Sequence, residues 1–355
     1  MTDGETAASQ AARANREEAL GAILARSIPD EQAAAAWALI EAAGRILLLA
    51  HYNPDPDALG SALGLAYALN PLGKRCVVAC ADPVPDNFDF LPGRETVVSE
   101  LPDEDFDLVI ALDAGDLSRY GDLYTRYQAF FDRATILNLD HHLSSRGIGA
   151  YAIVDVPSAA TAELLTMLLL NRGVTIGAEA ATCLLAGIIT DTRSFEFEST
   201  TDRTLTAGAY LVARGAVPLT IVTPMYRMKP LPQARLWGAA LRSLQASAEG
   251  RIVWAVIRQA DFIAAGATPD MDDGLSSYLR DTNGVEIAAL FRERPDGNTR
   301  VSVRANAPYD AAALCGRFGG GGHARAAGCT LAMDVDSAVA AFIPSLEEAA
   351  RAGHV

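Results

Sequence analysis

Four short apolar runs, Arg45–Ala50, Arg75–Ala81, Asp107–Leu112 and Ala134–Leu139, recur early in the chain, separated by helix-length or loop segments such as Ala58–Leu69. Each is apolar nearly throughout rather than at alternate positions, the pattern of a strand covered on both faces. Strand and helix alternating over about 150 residues predicts an α/β domain with a doubly wound, mainly parallel sheet. Helical segments follow at Ala159–Leu170, Ala178–Ile189 and Asp202–Arg214. The alanine-rich stretch Gln32–Ala43 has strong helix propensity and carries no chemistry.

Around Val217–Pro232 the pattern breaks, with Pro218, Pro224, Pro230 and Pro232 in a short span that reads as a stiff connection between domains. Beyond it the chain predicts a helix at Gln233–Ala248 and a strand at Arg251–Ile257. Strands at Val285–Glu293 and Thr299–Arg304 flank Pro295-Asp296-Gly297-Asn298, a hairpin signal. A helix at Asp310–Phe318, a glycine loop and a last strand and helix complete a smaller α+β domain. The expected division is a helical lead over 1–43, a first domain over 44–216, a linker over 217–235 and a second domain over 236–350.

The 355 residues suit two domains, and 50% hydrophobic content excludes disorder for most of the chain. No apolar run reaches the roughly 18–20 residues of a membrane span. The opening Met-Thr-Asp-Gly-Glu is acidic, unlike a secretory signal, so a cytoplasmic location is expected. Cys76, Cys80, Cys183, Cys315 and Cys329 are odd in number and lack zinc-type spacing, and read as reduced core residues. The net charge of −15 disfavours long polyanions and duplex nucleic acid, while leaving short anionic substrates drawn to a bound cation.

Chemistry concentrates where apolar runs end. His51-Tyr52-Asn53-Pro54-Asp55-Pro56-Asp57 follows the first run, Asp113 follows the third, Asp140-His141-His142 ends the fourth, and Asp191 ends the run Leu184–Thr190. In an open α/β sheet the carboxyl ends of the strands face the functional crevice. Convergence of Asp55, Asp57, Asp113 and Asp191 would leave four carboxylates repelling one another unless cations neutralise them. Carboxylate and imidazole donors without thiolate suit Mn²⁺, Mg²⁺, Fe²⁺ or Zn²⁺. Six or seven ligands suit a pair of ions about 3.5–4 Å apart, of the kind that activates water for in-line attack on phosphorus. Taken singly, each segment also has a plainer reading, as a helix cap, a turn or a satisfied structural cluster.

The second informative segment is Phe318-Gly319-Gly320-Gly321-Gly322-His323-Ala324-Arg325. Consecutive glycines permit positive φ and free backbone amides for an anion. Between Val285 and Cys329 six arginines face four acids, a locally basic stretch in an acidic chain. Ser302 and Arg304 alternate on a strand and share a face, where a guanidinium fork suits phosphate. A flexible hinge and an ordinary strand face are the competing readings.

Together these motifs resemble the DHH phosphoesterases that carry a DHH-associated C-terminal domain, over about residues 44–345, and within them the short, two-domain nanoRNase/pAp phosphatase type. The resemblance implies an active site in the cleft between the two domains, with one Mn²⁺ held by His51, Asp55 and Asp113 and a second by Asp57, Asp113, His141 and Asp191. Mg²⁺ or Co²⁺ could substitute. It implies His142 near the scissile phosphate or leaving group, Asp140 orienting the imidazoles, and Asp113 as the shared catalytic carboxylate. It also implies that Ser302, Arg304, Gly320, Gly321, Gly322 and His323 hold the substrate's terminal phosphate and nucleotide. Arg193 stands where the family pattern has glycine after Asp191-Thr192.

The implied activity is hydrolysis of very short RNA to 5′-mononucleotides, with 3′-phosphoadenosine 5′-phosphate (pAp) and pApA as further substrates. No membrane partner is expected, and a homodimer is left open. Alternatives are a RecJ-type single-strand exonuclease, a cyclic di-AMP phosphodiesterase, an inorganic pyrophosphatase or exopolyphosphatase, and a nucleotide-sensing protein with a degenerate metal site.

Overall fold

The computed structural model describes residues 7–353; the acidic opening pentapeptide lies outside them. The chain divides between Met228 and Lys229 into two compact units. The first opens with helices α1 (Ala7–Ala25) and α2 (Asp30–Ala42), then β1 (Arg45–Leu49), α3 (Pro56–Leu69), β2 (Arg75–Ala79), β3 (Leu108–Leu112), α4 (Gly121–Arg126), α5 (Gln128–Phe131) and β4 (Ile136–Asp140). After β5 (Tyr151–Val154) come α6 (Thr161–Asn171), α7 (Ala178–Asp191), α8 (Asp202–Ala213) and α9 (Pro218–Val222). The five strands form one sheet in the order β2-β1-β3-β4-β5, every pair parallel.

This sheet is covered on both faces, as its near-continuous apolar strands require. Ile46, Leu48 and Ile110 point into a core shared with α3, α6 and α7, while Leu47, Leu49, Val109 and Ala111 point into a second core with Tyr120, Leu123 and Phe131. Strand β5 was not foreseen from the sequence: Tyr151–Val154 is an apolar run only four residues long, and as an edge strand it buries Ile153 alone.

The run Leu184–Thr190, expected to deliver Asp191 from a strand end, lies inside helix α7, and Asp191 is that helix's last residue. An apolar run fits a buried strand or a buried helix equally well, and the 14-residue length of the whole element decides for helix. What brings Asp191 to the strand ends is glycine. A Cβ on Gly60 of α3 would collide with the Cys183 carbonyl oxygen of α7, and one on Gly64 would meet Leu184 Cγ at 2.9 Å. A Cβ on Gly187 of α7 would collide with the Asp57 carboxylate. The two helices therefore run antiparallel at backbone contact, and the start of α3 meets the end of α7.

The helical lead belongs to the same core. Helix α1 packs on α6 and α8, with Gly21 accommodating the Tyr210 ring and the Asn171 amide donating to the Ala25 carbonyl at 2.7 Å. Ion pairs Glu17–Arg214 and Asp30–Arg172 fasten its outer edge. Among the described residues no single helix is long and apolar enough to cross a membrane.

In the second unit, α10 (Leu231–Arg242) ends earlier than the sequence suggested, and β6 (Gln245–Ser247) pairs antiparallel with β7 (Ile252–Ile257). There follow α11 (Gln259–Ala265), α12 (Leu275–Arg280), β8 (Ile287–Glu293), β9 (Thr299–Ala305), α13 (Ala311–Gly316), β10 (Gly321–His323), β11 (Ala326–Leu331) and α14 (Val335–Ala352). The mixed sheet runs β10-β11-β9-β8-β7-β6, with only β7 and β8 parallel. One face packs under α13 and α14 through Ile287, Phe291, Val301 and Phe342; the other packs Val253, Ala255, Ala288 and Leu290 with Leu236, Phe262 and Leu275. The glycine segment is an edge hairpin strand, because glycine lets β10 approach β11 closely: a Cβ on Gly322 would lie 2.6 Å from Ala327 Cα.

Gly60→Ala should cost about 1–3 kcal/mol, the scale of overpacking against backbone that cannot yield. Gly238→Ala, in α10 with open space around it, should gain about 0.5–1 kcal/mol. Urea unfolding of the two variants against the parent checks both signs.

Candidate metal centre

The turn between β1 and α3 does two jobs at once. Asp55 caps α3: its Oδ1 accepts the Asp57 and Ala58 amides at 3.0 and 2.9 Å, and Pro56 follows at the first helical position. The cap reading and the ligand reading are thus compatible, because Oδ2 of Asp55 remains free to face His51 Nε2, 3.6 Å away. Asp57, in the first turn of α3, is fully buried. Both of its oxygens accept amides from the start of α6, Thr161 at 2.7 Å and Ala162 at 2.9 Å.

Asp113 sits just past β3 with φ +57, a left-handed conformation rare outside glycine but tolerated best by Asp and Asn. Its amide is held by the Leu139 carbonyl of β4 at 3.0 Å. In that pose its two oxygens face different imidazoles: Oδ2 lies 3.5 Å from His51 Nε2, and Oδ1 lies 3.5 Å from His141 Nε2. Thr161 Oγ1 donates to Oδ1 at 2.9 Å.

The two imidazoles are held alike. His51 Nδ1 donates to the Tyr52 carbonyl at 2.8 Å and His141 Nδ1 to the Ser158 carbonyl at 3.1 Å, since a carbonyl can only accept. Each ring is left presenting Nε2, the arrangement by which backbone partners fix metal-binding histidines. His141 Nε2 lies 3.2 Å from Asp191 Oδ2 and 3.9 Å from Asp57 Oδ2, but no acceptor is aligned for a hydrogen bond, so a buried nitrogen is left without one.

Two clusters with ligand atoms mutually within 4.8 Å result: His51, Asp55 and Asp113, and Asp57, His141 and Asp191; Asp113, His141 and His142 form a third combination. The structure thereby brings together every residue the sequence offered as a ligand. Their electrostatics show the strain of crowding. Burial pulls His51 down, but Asp113 and Asp55 outweigh it and hold the imidazole up at about 10; His141 is likewise held at about 10 by Asp191, Asp57 and Asp113 against its burial. Burial, then Asp113, lift Asp191 to about 6, and burial with Asp113 and Asp191 raises Asp57 well above the carboxylate range. Without a cation the centre keeps protons. An orphaned imidazole nitrogen among carboxylates, with no thiolate, fits a divalent ion.

Beside the clusters, Asp140 Oδ1 accepts the His141 and His142 amides at 2.8 and 3.2 Å and the His142 Nδ1–H at 2.8 Å. Asp140 is fully buried and, despite burial, held below its ordinary value by His142; the His142 ring is half-exposed and raised by Asp140. Its Nδ1 is committed, so Nε2 is the nitrogen available for proton exchange.

Past Asp191, Arg193, Ser194 and Phe195 all have positive φ, at 48, 62 and 68. Arg193 thus occupies a conformation glycine adopts most easily, and its Nε lies 3.4 Å from Glu196 Oε2. The Phe195 ring seats on Gly208, where a Cβ would lie 2.9 Å away. Sequence reasoning missed Ser158, Thr161, Glu163 and Arg203, which hold the centre from outside. The available signal was polar residues (Thr161, Glu163, Thr166) within the apolar stretch Ala159–Leu170.

In the second unit, cross-strand register aligns His323, Ala326 and Arg304 in one row and Gly321, Gly328 and Ser302 in the next. Arg304 is half-buried, with Nε 3.4 Å from Ser277 Oγ, and His323 is exposed. The Gly320 amide donates to the Cys315 carbonyl at 3.0 Å, so it is engaged by the end of α13 rather than free. A Cβ on Gly320 would collide with the Gly328 carbonyl oxygen.

Residues 45–188 match the model of the DHH family, N-terminal domain, and residues 250–351 match the DHHA1 domain. The chain is 35% identical over 319 residues to the bifunctional oligoribonuclease and PAP phosphatase NrnA of Thermus thermophilus, covering 88% of this chain and 92% of that protein. It is 27% identical over 290 residues to the Bacillus subtilis protein of the same description, covering 81% and 89%. An exopolyphosphatase-related protein from Bacteroides fragilis shares the fold, with a TM-score of 0.81 at 23% identity over 91% of this chain and 97% of that one. Fold, strand-end chemistry and relatives agree: the chain is a hydrolytic phosphoesterase that belongs to the DHH family and carries a DHHA1 domain.

Proposed function

We propose that this chain is a Mn²⁺-dependent phosphoesterase that hydrolyses very short RNA to 5′-mononucleotides and converts pAp and pApA to AMP. The observation that carries the reading is Asp113, whose two carboxylate oxygens face two separately tethered imidazoles, each with its own carboxylates, as a ligand shared between two ions would. His51, Asp55 and Asp113 would hold one ion and Asp57, Asp113, His141 and Asp191 the other. Bound there, such ions supply positive charge toward phosphoryl oxygens and make water acidic enough to attack.

The remaining work falls to the chain's own groups. His142, tied through Nδ1 to Asp140, whose hydrogen bond favours the protonated ring, donates from Nε2 to the departing oxygen. Arg304 and His323 hold the substrate's terminal phosphate, and Ser302 with the edge strand at Gly321 and Gly322 receives the adjoining nucleotide. Recognition of one end counts nucleotides from that end, and the chain's net charge of −15 disfavours long strands. The two NrnA relatives, named for oligoribonuclease and PAP phosphatase activity, support this substrate class.

The test is turnover in Mn²⁺ of pAp, pApA, cyclic di-AMP, pyrophosphate and 5′-labelled RNAs of increasing length. Fastest release of mononucleotide from the shortest RNAs, with phosphate released from pAp, is expected; equal or faster turnover of long RNA, or pyrophosphate as the sole substrate, contradicts the reading. Asp113→Asn should lose at least about 100-fold on every substrate, since even partners behind a ligand are worth 10–100-fold.

Protonation gives a second check. His51 is held at about 10 in the folded, metal-free chain against 6.5 in an exposed imidazole, so its contribution to stability is full below pH 6.5 and is lost as pH rises toward 10. In chelator, the unfolding free energy of the parent minus that of His51→Gln should therefore shrink across that window. A difference constant from pH 6 to pH 10 would show that His51 is not so held.

A further inference from the structure

We propose that Glu163 and Arg203 are positioning residues for the metal centre: a buried ion pair that locks the 155–162 segment, and through it the His141 ring and the Asp57 carboxylate, in ligating geometry. The proposal rests on the metal reading above and adds residues that touch no ligand position directly.

Glu163 lies in the first turn of α6 among buried Ala162, Leu164 and Leu165, and its own side chain is fully buried. A carboxylate there is costly unless its lone pairs are met. They are: Oε1 accepts Arg203 Nε at 2.6 Å, and Oε2 accepts Thr204 Oγ1 at 2.9 Å and the Ala159 amide at 3.0 Å. An apolar side chain would fill the same space at less cost, so the bonds to the loop are what the charge provides.

Arg203, from α8, carries the network onward. Its second nitrogen donates to Asp155 Oδ2 at 2.9 Å and to Ser158 Oγ at 3.1 Å, and Ser158 Oγ itself donates to Asp155 Oδ2 at 2.5 Å. The Asp155 amide is held by the Asp140 carbonyl at 2.9 Å. From this clamped segment four groups reach inward: the Ser158 carbonyl to His141 Nδ1, the Thr161 hydroxyl to Asp113 Oδ1, and the Thr161 and Ala162 amides to the two oxygens of Asp57. Outer groups go to the ion pair and inner groups go to the centre. Two different nitrogens of one planar guanidinium serve Glu163 and the Asp155/Ser158 pair, which a lysine ammonium cannot reproduce in that geometry.

The experiment uses the full-length chain, stripped with chelator and titrated with Mn²⁺ while free ion is followed by electron paramagnetic resonance. Thermal unfolding and ¹⁵N-histidine spectra are recorded on the same samples. Arg203→Lys and Glu163→Gln keep size and polarity and should remain folded in chelator, yet bind Mn²⁺ roughly 10–100-fold more weakly. The His141 ring should lose the signature of an Nδ1–H donor. Arg203→Ala should be at least as severe. Parent-like Mn²⁺ affinity and His141 spectra in folded Arg203→Lys and Glu163→Gln overturn the proposal. So does an affinity loss that the unfolded fraction fully accounts for. Failure of the parent chain to take up Mn²⁺ overturns the metal reading itself, and is distinguished from those outcomes by the parent titration alone.

Discussion

Like-charge repulsion inside the first unit governs the rest of the structure. Asp55, Asp57, Asp113 and Asp191 are drawn into one small volume, with Asp57 and Asp113 buried. Nothing in apolar packing favours that, and carboxylates at such spacing hold protons or attract cations. The surrounding chain is arranged to keep them there: α3 begins on an Asp cap, α6 aims two amides at Asp57, and α7 ends on Asp191. Two imidazoles with tethered Nδ1 atoms complete the set.

Glycine supplies the geometry that side chains could not. Gly60, Gly64 and Gly187 let α3 and α7 touch at their backbones, which is how a helix end arrives at a crevice otherwise built from strand ends. Asp113 adds a second unusual geometry, a left-handed backbone at φ +57. Local strain of this kind persists only where neighbouring structure over-determines it. Here the Leu139 carbonyl, Thr161 and the two imidazoles surround the residue.

The sequence made the parallel sheet legible through its uniformly apolar runs, and the centre legible through polar residues stationed where those runs stop. Edge strand β5 escaped because its apolar run is only four residues long, and the run before Asp191 read as a strand because a buried helix and a buried strand look alike over a short apolar stretch. The Glu163–Arg203 pair escaped for a different reason. Its partners lie 40 positions apart and meet only through helix packing, which no local pattern encodes. In the second unit Ser302, Arg304 and His323 fall into adjoining rows through strand register, although the segment read as a glycine loop is a paired edge strand with its Gly320 amide engaged.

The central claim is that one carboxylate, Asp113, is shared by two cations. Anomalous diffraction from a crystal soaked in manganese, recorded on both sides of the manganese absorption edge, tests it most directly. The account predicts two peaks about 3.5–4 Å apart, one beside His51 Nε2 and one beside His141 Nε2, with an oxygen of Asp113 reaching each. A single peak, or two that leave Asp113 unligated, would contradict it.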